Sequence, residues 1–259
     1  MSEPRKSTVL LEHHLKQLKL PTMLKEYPLL AISCSQEKCD YPTYLLRLCE
    51  KESADRQRRA MDRRIKLAKF PLLKTIDSFD FKSQKSVNEP LIRELLRCEF
   101  IDNNENILLV GNSGTGKTHL ASALGFAACC AGYKVQFFGC TALMTQLLEA
   151  REDRQLQRLL GQLEKQNLLI LDELGYVPFS KAGSELLFEV VSRAYERQSL
   201  IVTSNLPFEN WTEVCGSERL TGAMLDRLTH KVHIIEANGQ SYRLEQSRKR
   251  LARQNKIER

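Results

Sequence analysis

Apolar residues change their spacing once along this chain. Up to about residue 70, Leu10, Leu11, Leu15 and Leu18, and later Leu45, Leu46 and Leu48, recur at helix-like intervals, and no run reads as a strand. Short helices are predicted there, broken near Pro21, Pro28 and Pro42. The stretch from Tyr41 through Lys69 reads as one long helix stopped by Pro71, because proline restricts the residue before it and has no amide hydrogen to donate. Beyond Pro71 short, uniformly apolar runs take over: Ile107–Val110, Val135–Phe138, Leu168–Leu171, Leu200–Thr203 and Val232–Ile235. Helical patterns fill the gaps near residues 117–131, 141–163, 182–197 and 219–230. Strands apolar on both faces that alternate with helices predict an α/β domain with a parallel sheet flanked by helices. The expected layout is a small all-α N-terminal domain over residues 1–70 and the α/β domain over 71–259, with the boundary around 65–75.

The 259 residues are 42% hydrophobic and 27% charged, enough apolar material for a sizeable core and too much for a disordered chain. Charge is unevenly placed. Between Arg56 and Lys69, the residues Arg56, Arg58, Arg59, Arg63, Arg64, Lys66 and Lys69 face only Asp62, a local excess of +6. Arg243–Arg259 carries seven more basic residues against Glu245 and Glu258, or +5. Since the whole chain is only +7, everything else sums to −4. Two basic segments on a mildly acidic body suit contact with nucleic-acid phosphates, with Arg56, Arg58, Arg59, Arg63, Arg64 and Lys66 as candidate DNA-binding residues. The competing reading is a solvated helix face with internal ion pairs; the seven-to-one imbalance argues against it, since few local acids are in sight. No zinc finger, homeodomain or basic zipper is present, so base-specific recognition is not indicated.

Eight cysteines include no C-x-x-C pair, and His230 and His233 lack a zincin-type Glu, so they read as a structural pair rather than as metal ligands. Charges interrupt the N-terminus, and no apolar run approaches the roughly 18 residues of a membrane span. The expectation is a cytoplasmic protein with reduced thiols and no membrane contact.

The first apolar run leads directly into Gly111-Asn112-Ser113-Gly114-Thr115-Gly116-Lys117-Thr118, which fits G-x-x-x-x-G-K-[ST] between a strand and a helix. Glycines let the backbone wrap phosphates, and the loop amides with the helix N-terminus supply oriented positive dipoles. Lys117 is then expected on the β- and γ-phosphates and the Thr118 hydroxyl on Mg²⁺. The third run ends Asp172-Glu173, at the strand end where ligands gather in such sheets. Asp172 is the candidate Walker B residue holding Mg²⁺, and Glu173 the base for an attacking water, which favours hydrolysis over kinase chemistry. The fourth run ends Thr203-Ser204-Asn205; Asn205 either bonds the γ-phosphate or lytic water or caps a helix near Pro207. Arg219 and Arg227 flank the next helical pattern; each is either an arginine acting on a neighbour's phosphoryl site or a surface ion pair.

These motifs resemble the AAA+ ATPases, especially their DnaC-like branch. Leu20-Pro21-Thr22-Met23-Leu24-Lys25-Glu26-Tyr27, Asp172-Glu173-Leu174-Gly175-Tyr176, Thr203-Ser204-Asn205-Leu206-Pro207-Phe208 and Asp226-Arg227-Leu228-Thr229-His230 resemble the IstB transposition helper proteins, over nearly the whole chain. The resemblance implies an ATP-dependent helper that assembles as a homo-oligomer on double-stranded DNA, hydrolyses ATP with Mg²⁺, and recruits or activates the transposase of the same mobile element. It places Walker A on Gly111–Thr118, Walker B on Asp172 and Glu173, sensor 1 on Asn205 and the arginine finger on Arg227, with Arg219 the weaker candidate. After the fifth run only 24 residues remain, too few for a full helical lid, which leaves Arg243 as the substitute for a lid-borne sensor. The alternatives are a DnaC-like loader of a replicative helicase and a nucleotide-gated DNA scaffold with negligible turnover.

Overall fold

The computed structural model describes residues 6–244. Contacts divide the chain into two compact units, Met1–Arg63 and Arg64–Arg259.

The first unit contains α1 (Lys6–Gln17), α2 (Pro21–Glu37) and most of α3 (Tyr41–Ala68). Helix α2 starts with Pro21 at its first position, where a missing amide hydrogen costs nothing. Leu20 supplies no side-chain cap. Glu52 of α3 does that work: one carboxylate oxygen accepts from the amides of Thr22 at 2.8 Å and Met23 at 3.1 Å, placing a buried anion on the positive end of the helix. The helix ends on Lys38 in the left-handed conformation, its amide bonded to the carbonyls of Cys34 and Ser35. Pro21 and Pro42 stand at helix starts as expected, but Pro28 lies inside α2 and does not break it. Pro28 is exposed, so the Leu24 carbonyl that it deprives of a partner one turn earlier can be hydrated.

The second unit adds α4 (Glu89–Leu95) and α5 (Glu99–Asp102), then β1 (Asn106–Val110), α6 (Lys117–Ala131), β2 (Val135–Gly139), α7 (Cys140–Glu152), α8 (Leu156–Leu163) and β3 (Leu168–Leu174). It continues through α9 (Lys181–Ala194), β4 (Ser199–Ser204), α10 (Trp211–Cys215), α11 (Glu218–Thr229) and β5 (Val232–Glu236). All five apolar runs are strands of one parallel sheet in the order β2-β3-β4-β1-β5. Successive residues face opposite layers. Leu108, Leu169 and Leu171 pack with α7, α9 and α11, whereas Ile107, Leu109, Leu168 and Ile170 pack with α4 and α6. Burial on both faces is why the central strands β1, β3 and β4 carry long apolar runs, whereas the edge strand β5 is only partly covered.

The single helix expected over 141–163 is two. Arg154 adopts a left-handed φ of 57°, and the Gln155 amide returns to the Ala150 carbonyl at 2.7 Å, closing α7 before α8 begins. No glycine or proline marks that break. Helices α4 and α5 were not anticipated from the apolar spacing.

Candidate nucleotide site

Strand β1 lies between β4 and β5, so the loop leaving its carboxyl end opens into a crevice bounded by the ends of neighbouring strands. The loop 111–116 turns on glycines with positive φ. At Gly116 (φ 95°) an added Cβ would stand 2.7 Å from the Phe79 ring, and at Gly111 it would run into the backbone of Ala237. Both positions therefore exclude any side chain.

Within this loop the Lys117 ammonium donates to the carbonyls of Gly111 and Asn112, each at 2.7 Å. Burial pushes its pKa down, against the attraction of Asp172 and Glu173, and the nearby Arg243 charge adds to the depression. Thr118 donates its hydroxyl to Asp172 Oδ1 at 2.9 Å, and Thr203 of β4 donates to the same oxygen at 2.6 Å. Burial raises the Asp172 carboxyl above its ordinary range, although both hydroxyls and Lys117 oppose the shift. An ammonium and a carboxylate, each disfavoured by burial in its charged form, are thus held close to the phosphate loop.

Glu173 departs from strand geometry. Its φ is 61°, and β3 slips register against β4 between Leu171 and Leu174: Leu171 pairs with Val202 and Leu174 with Ser204, so two residues oppose Thr203 alone. This is a β-bulge. The Glu173 amide donates to the Thr203 hydroxyl at 2.9 Å, and its side chain is exposed. Ser113–Thr118, Glu173 and Asn205 line a common cleft of about 330 Å³. Its other wall is formed by residues 71–84 and by Tyr242 and Arg243. The Tyr242 amide donates to the Gly114 carbonyl at 3.0 Å, and the Gln84 side-chain amide donates to the Gln240 carbonyl at 2.8 Å, tying these segments beside the loop.

The donor set fits a magnesium-bound triphosphate. A lysine whose ammonium already bonds two loop carbonyl oxygens has the geometry to meet phosphate oxygens instead, and a hydroxyl beside a carboxylate is oxygen chemistry suited to a hard divalent cation.

Residues 13–250 match the family described as IstB-like ATP binding protein. The chain belongs to that family. It is 42% identical over 232 residues to the putative ATP-binding protein of insertion sequence IS5376 from Geobacillus stearothermophilus, covering 90% of this chain and 92% of the relative. Identity to the IS21 putative ATP-binding protein of Pseudomonas aeruginosa is 37% over 239 residues, with coverages of 92% and 90%. Among solved structures, AMPPCP-bound DnaA from Aquifex aeolicus superposes with a TM-score of 0.56 at 20% identity, over 71% of this chain and 56% of that one, a likeness of fold.

In this IstB-like protein Asn205 lines the cleft, whereas Arg219 and Arg227 do not. Asn205 caps nothing: the turn at Phe208–Asn210 begins on Pro207 without a side-chain cap, and Asn205 points no hydrogen bond at any described residue. Arg227 does not line the cleft of its own chain and forms no ion pair among the described residues. Its guanidinium lies 4.7 Å from the Phe188 ring centroid and donates to the Ala223 carbonyl at 2.8 Å. Arg219 is exposed. His230 meets the Tyr195 hydroxyl at 3.1 Å and His233 the Glu105 carboxylate at 2.8 Å. All eight cysteines are free.

The basic stretch of α3 requires a correction, because its charges do have local partners. Glu52 and Asp55 lie just before Arg56, ahead of the basic stretch. Glu52 pairs with Arg59 at 3.1 Å and Arg56 at 3.5 Å, and Asp55 with Arg58 at 2.9 Å. Arg59 also donates to the Thr22 hydroxyl at 2.9 Å, and Arg64 to the Cys129 carbonyl at 2.9 Å. Arg63 and Lys66 are left exposed without an ion pair among the described residues. Of the second basic segment, Arg248, Lys249, Arg250, Arg253, Lys256 and Arg259 lie outside the described residues, as does most of the stretch on which a lid was expected to be missing. Among the described residues no helix is long and apolar enough to cross a membrane.

Proposed function

We propose that this chain is an ATP-hydrolysing transposition helper that assembles on double-stranded DNA and recruits or activates the transposase of its insertion sequence. One observation carries the hydrolytic part: Thr118, tied to Asp172, shares a single cleft with Glu173 and Asn205. Lys117 exchanges its loop carbonyls for phosphate oxygens. Thr118 and Asp172 hold Mg²⁺, which when bound supplies positive charge to the phosphates. Glu173, exposed at the cleft, accepts the proton of the attacking water, and Asn205 orients that water or the terminal phosphate. Such a cleft has donors for binding and a carboxylate for chemistry, so turnover rather than mere gating is the reading it favours.

Arg227, which does not line its own cleft and has no carboxylate partner among the described residues, completes the site of an adjacent copy; ATP therefore holds protomers together and hydrolysis loosens them. The DNA and transposase parts draw support from the relatives' insertion sequences and from Arg63 and Lys66. ATP turnover measured without DNA, with single strands and with duplex tests the proposal, together with electron microscopy in a slowly hydrolysed ATP analogue. Duplex-stimulated turnover and assemblies on duplex are expected. A monomer saturated with nucleotide that ignores DNA refutes it.

A further inference from the structure

Strand alternation alone would bury Glu173. In a regular β3, residue 173 would follow Leu169 and Leu171 onto the face packed against α7, α9 and α11. The bulge inserts one extra residue, Leu174 takes that buried place, and Glu173 emerges at the cleft. The left-handed φ that permits this is unfavourable for a residue with a Cβ and persists only where surrounding contacts impose it.

Two hydroxyls of β4 hold this segment: Ser204 donates to the Leu174 carbonyl at 2.7 Å, and Thr203 bonds residue 173 itself. Thr203 is fully buried in β4, between β3 and the strand that feeds the phosphate loop. Its oxygen accepts the Glu173 amide at 2.9 Å while its proton goes to Asp172 Oδ1 at 2.6 Å. A hydroxyl has one proton and acceptor lone pairs, so the two bonds are compatible and use it in both directions. We infer that Thr203 is the positioning residue of this site: its hydroxyl pins the bulge that presents the Glu173 carboxylate while holding Asp172 toward Thr118. The inference rests on the hydrolytic reading for its consequence, but its structural half concerns the nucleotide-free chain.

Thr203→Val keeps the shape and removes the hydroxyl; Thr203→Ser keeps the hydroxyl. In full-length protein, Thr203→Val should lower kcat about 100-fold with KM for ATP within about threefold, the scale expected when a proton-accepting group is displaced by about 1 Å. Thr203→Ser should stay within about threefold of the parent. In Glu173→Gln protein, adding Thr203→Val should cost far less than the roughly 100-fold it costs in the parent, because the share acting through Glu173 is already gone and only the bond to Asp172 is left to lose. Without nucleotide, hydrogen exchange at the Glu173 amide should accelerate at least about tenfold in Thr203→Val and not in Thr203→Ser, since only the former loses the acceptor. If Thr203→Val does not fold, Thr203→Ala carries the same expectations. Normal turnover in the hydroxyl-less variant beside an inactive Glu173→Gln overturns the inference and leaves the hydrolytic reading standing. Equal damage from Thr203→Ser, or unchanged exchange in Thr203→Val, overturns it too. Normal turnover in Glu173→Gln instead defeats the hydrolytic reading, and the exchange experiment then still decides whether Thr203 holds the bulge.

Discussion

Counting charge along α3 makes every basic residue an equal candidate for DNA, whereas their partners separate them into two groups. Each phosphate neutralised contributes about 0.9 to the slope of log affinity against log salt, so six independent contacts from Arg56, Arg58, Arg59, Arg63, Arg64 and Lys66 would contribute about 5. Arg59 is committed elsewhere. It bonds Thr22 and the Glu52 carboxylate that caps α2, and Glu52 is only 3% exposed. Arg64 is committed to a backbone carbonyl. Arg63 and Lys66 are exposed and uncommitted among the described residues, so together they should account for a slope of about 1.8. The perturbation is the double change Arg63→Ala with Lys66→Ala, against Arg59→Ala alone. Fluorescence anisotropy with labelled duplex, across a salt series in saturating ATP analogue, should show the double variant losing about 1.8 of slope. Arg59→Ala should leave the slope within about 0.3 while lowering stability by about 1–3 kcal/mol, as a charged hydrogen-bond partner of the buried cap is withdrawn. A full unit of slope lost with Arg59→Ala, or none lost with the double variant, would refute this division.

Other substitutions test the cleft and the interface. Lys117→Ala should weaken ATP binding at least about tenfold by equilibrium titration, the loss of one charge-assisted phosphate contact; unchanged affinity would remove Lys117 from the cradle. Asp172→Asn should raise the melting temperature of the nucleotide-free protein at neutral pH. The raised pKa means that the carboxyl stabilises fully below its ordinary range and loses that contribution as pH rises through the folded value, so the gain should shrink toward acid; a melting difference independent of pH would contradict the sign. Arg227→Ala should lose turnover alone and recover part of it when mixed with Lys117→Ala, each copy supplying what the other lacks. Absence of recovery at every mixing ratio would place Arg227 outside a neighbour's site.

Period was the most legible feature of the sequence. Each of the five runs is a strand, and the central ones, such as Leu168–Leu171, show no alternation because both of their faces are covered. Helix α6 coincides with the helical pattern near 117–131, because the phosphate loop fixes its start and Gly132, in the left-handed conformation, fixes its end. What stayed hidden depends on single residues adopting backbone states that their side chains do not advertise. Arg154 breaks a helix in a conformation that glycine usually marks, and Pro28 fails to break one because its stranded carbonyl can be hydrated. Partners distant in sequence were equally invisible: Glu52 reaches back 30 residues to cap α2, so no local window of charge could show that Arg59 belongs to a cap.

Glu173 joins these two kinds of concealment. Its type and its place beside Asp172 identified a candidate base, but a strand-end carboxylate predicted from periodicity alone would have been buried among leucines. Thr203 gives the phrase Thr203-Ser204-Asn205 a meaning that the search for a phosphate sensor at Asn205 did not require: the strand between the phosphate loop and the acidic pair carries the hydroxyl bonded to both acids. Asn205, two residues on, reaches the same cleft. A change that shifted the end of β4 would therefore move the acids and Asn205 together, whereas a change in the phosphate loop would reach Asp172 through the Thr118 bond and the charge of Lys117. Coupling between nucleotide contacts and the chemistry of water activation should accordingly run through β4 more strongly than through the loop.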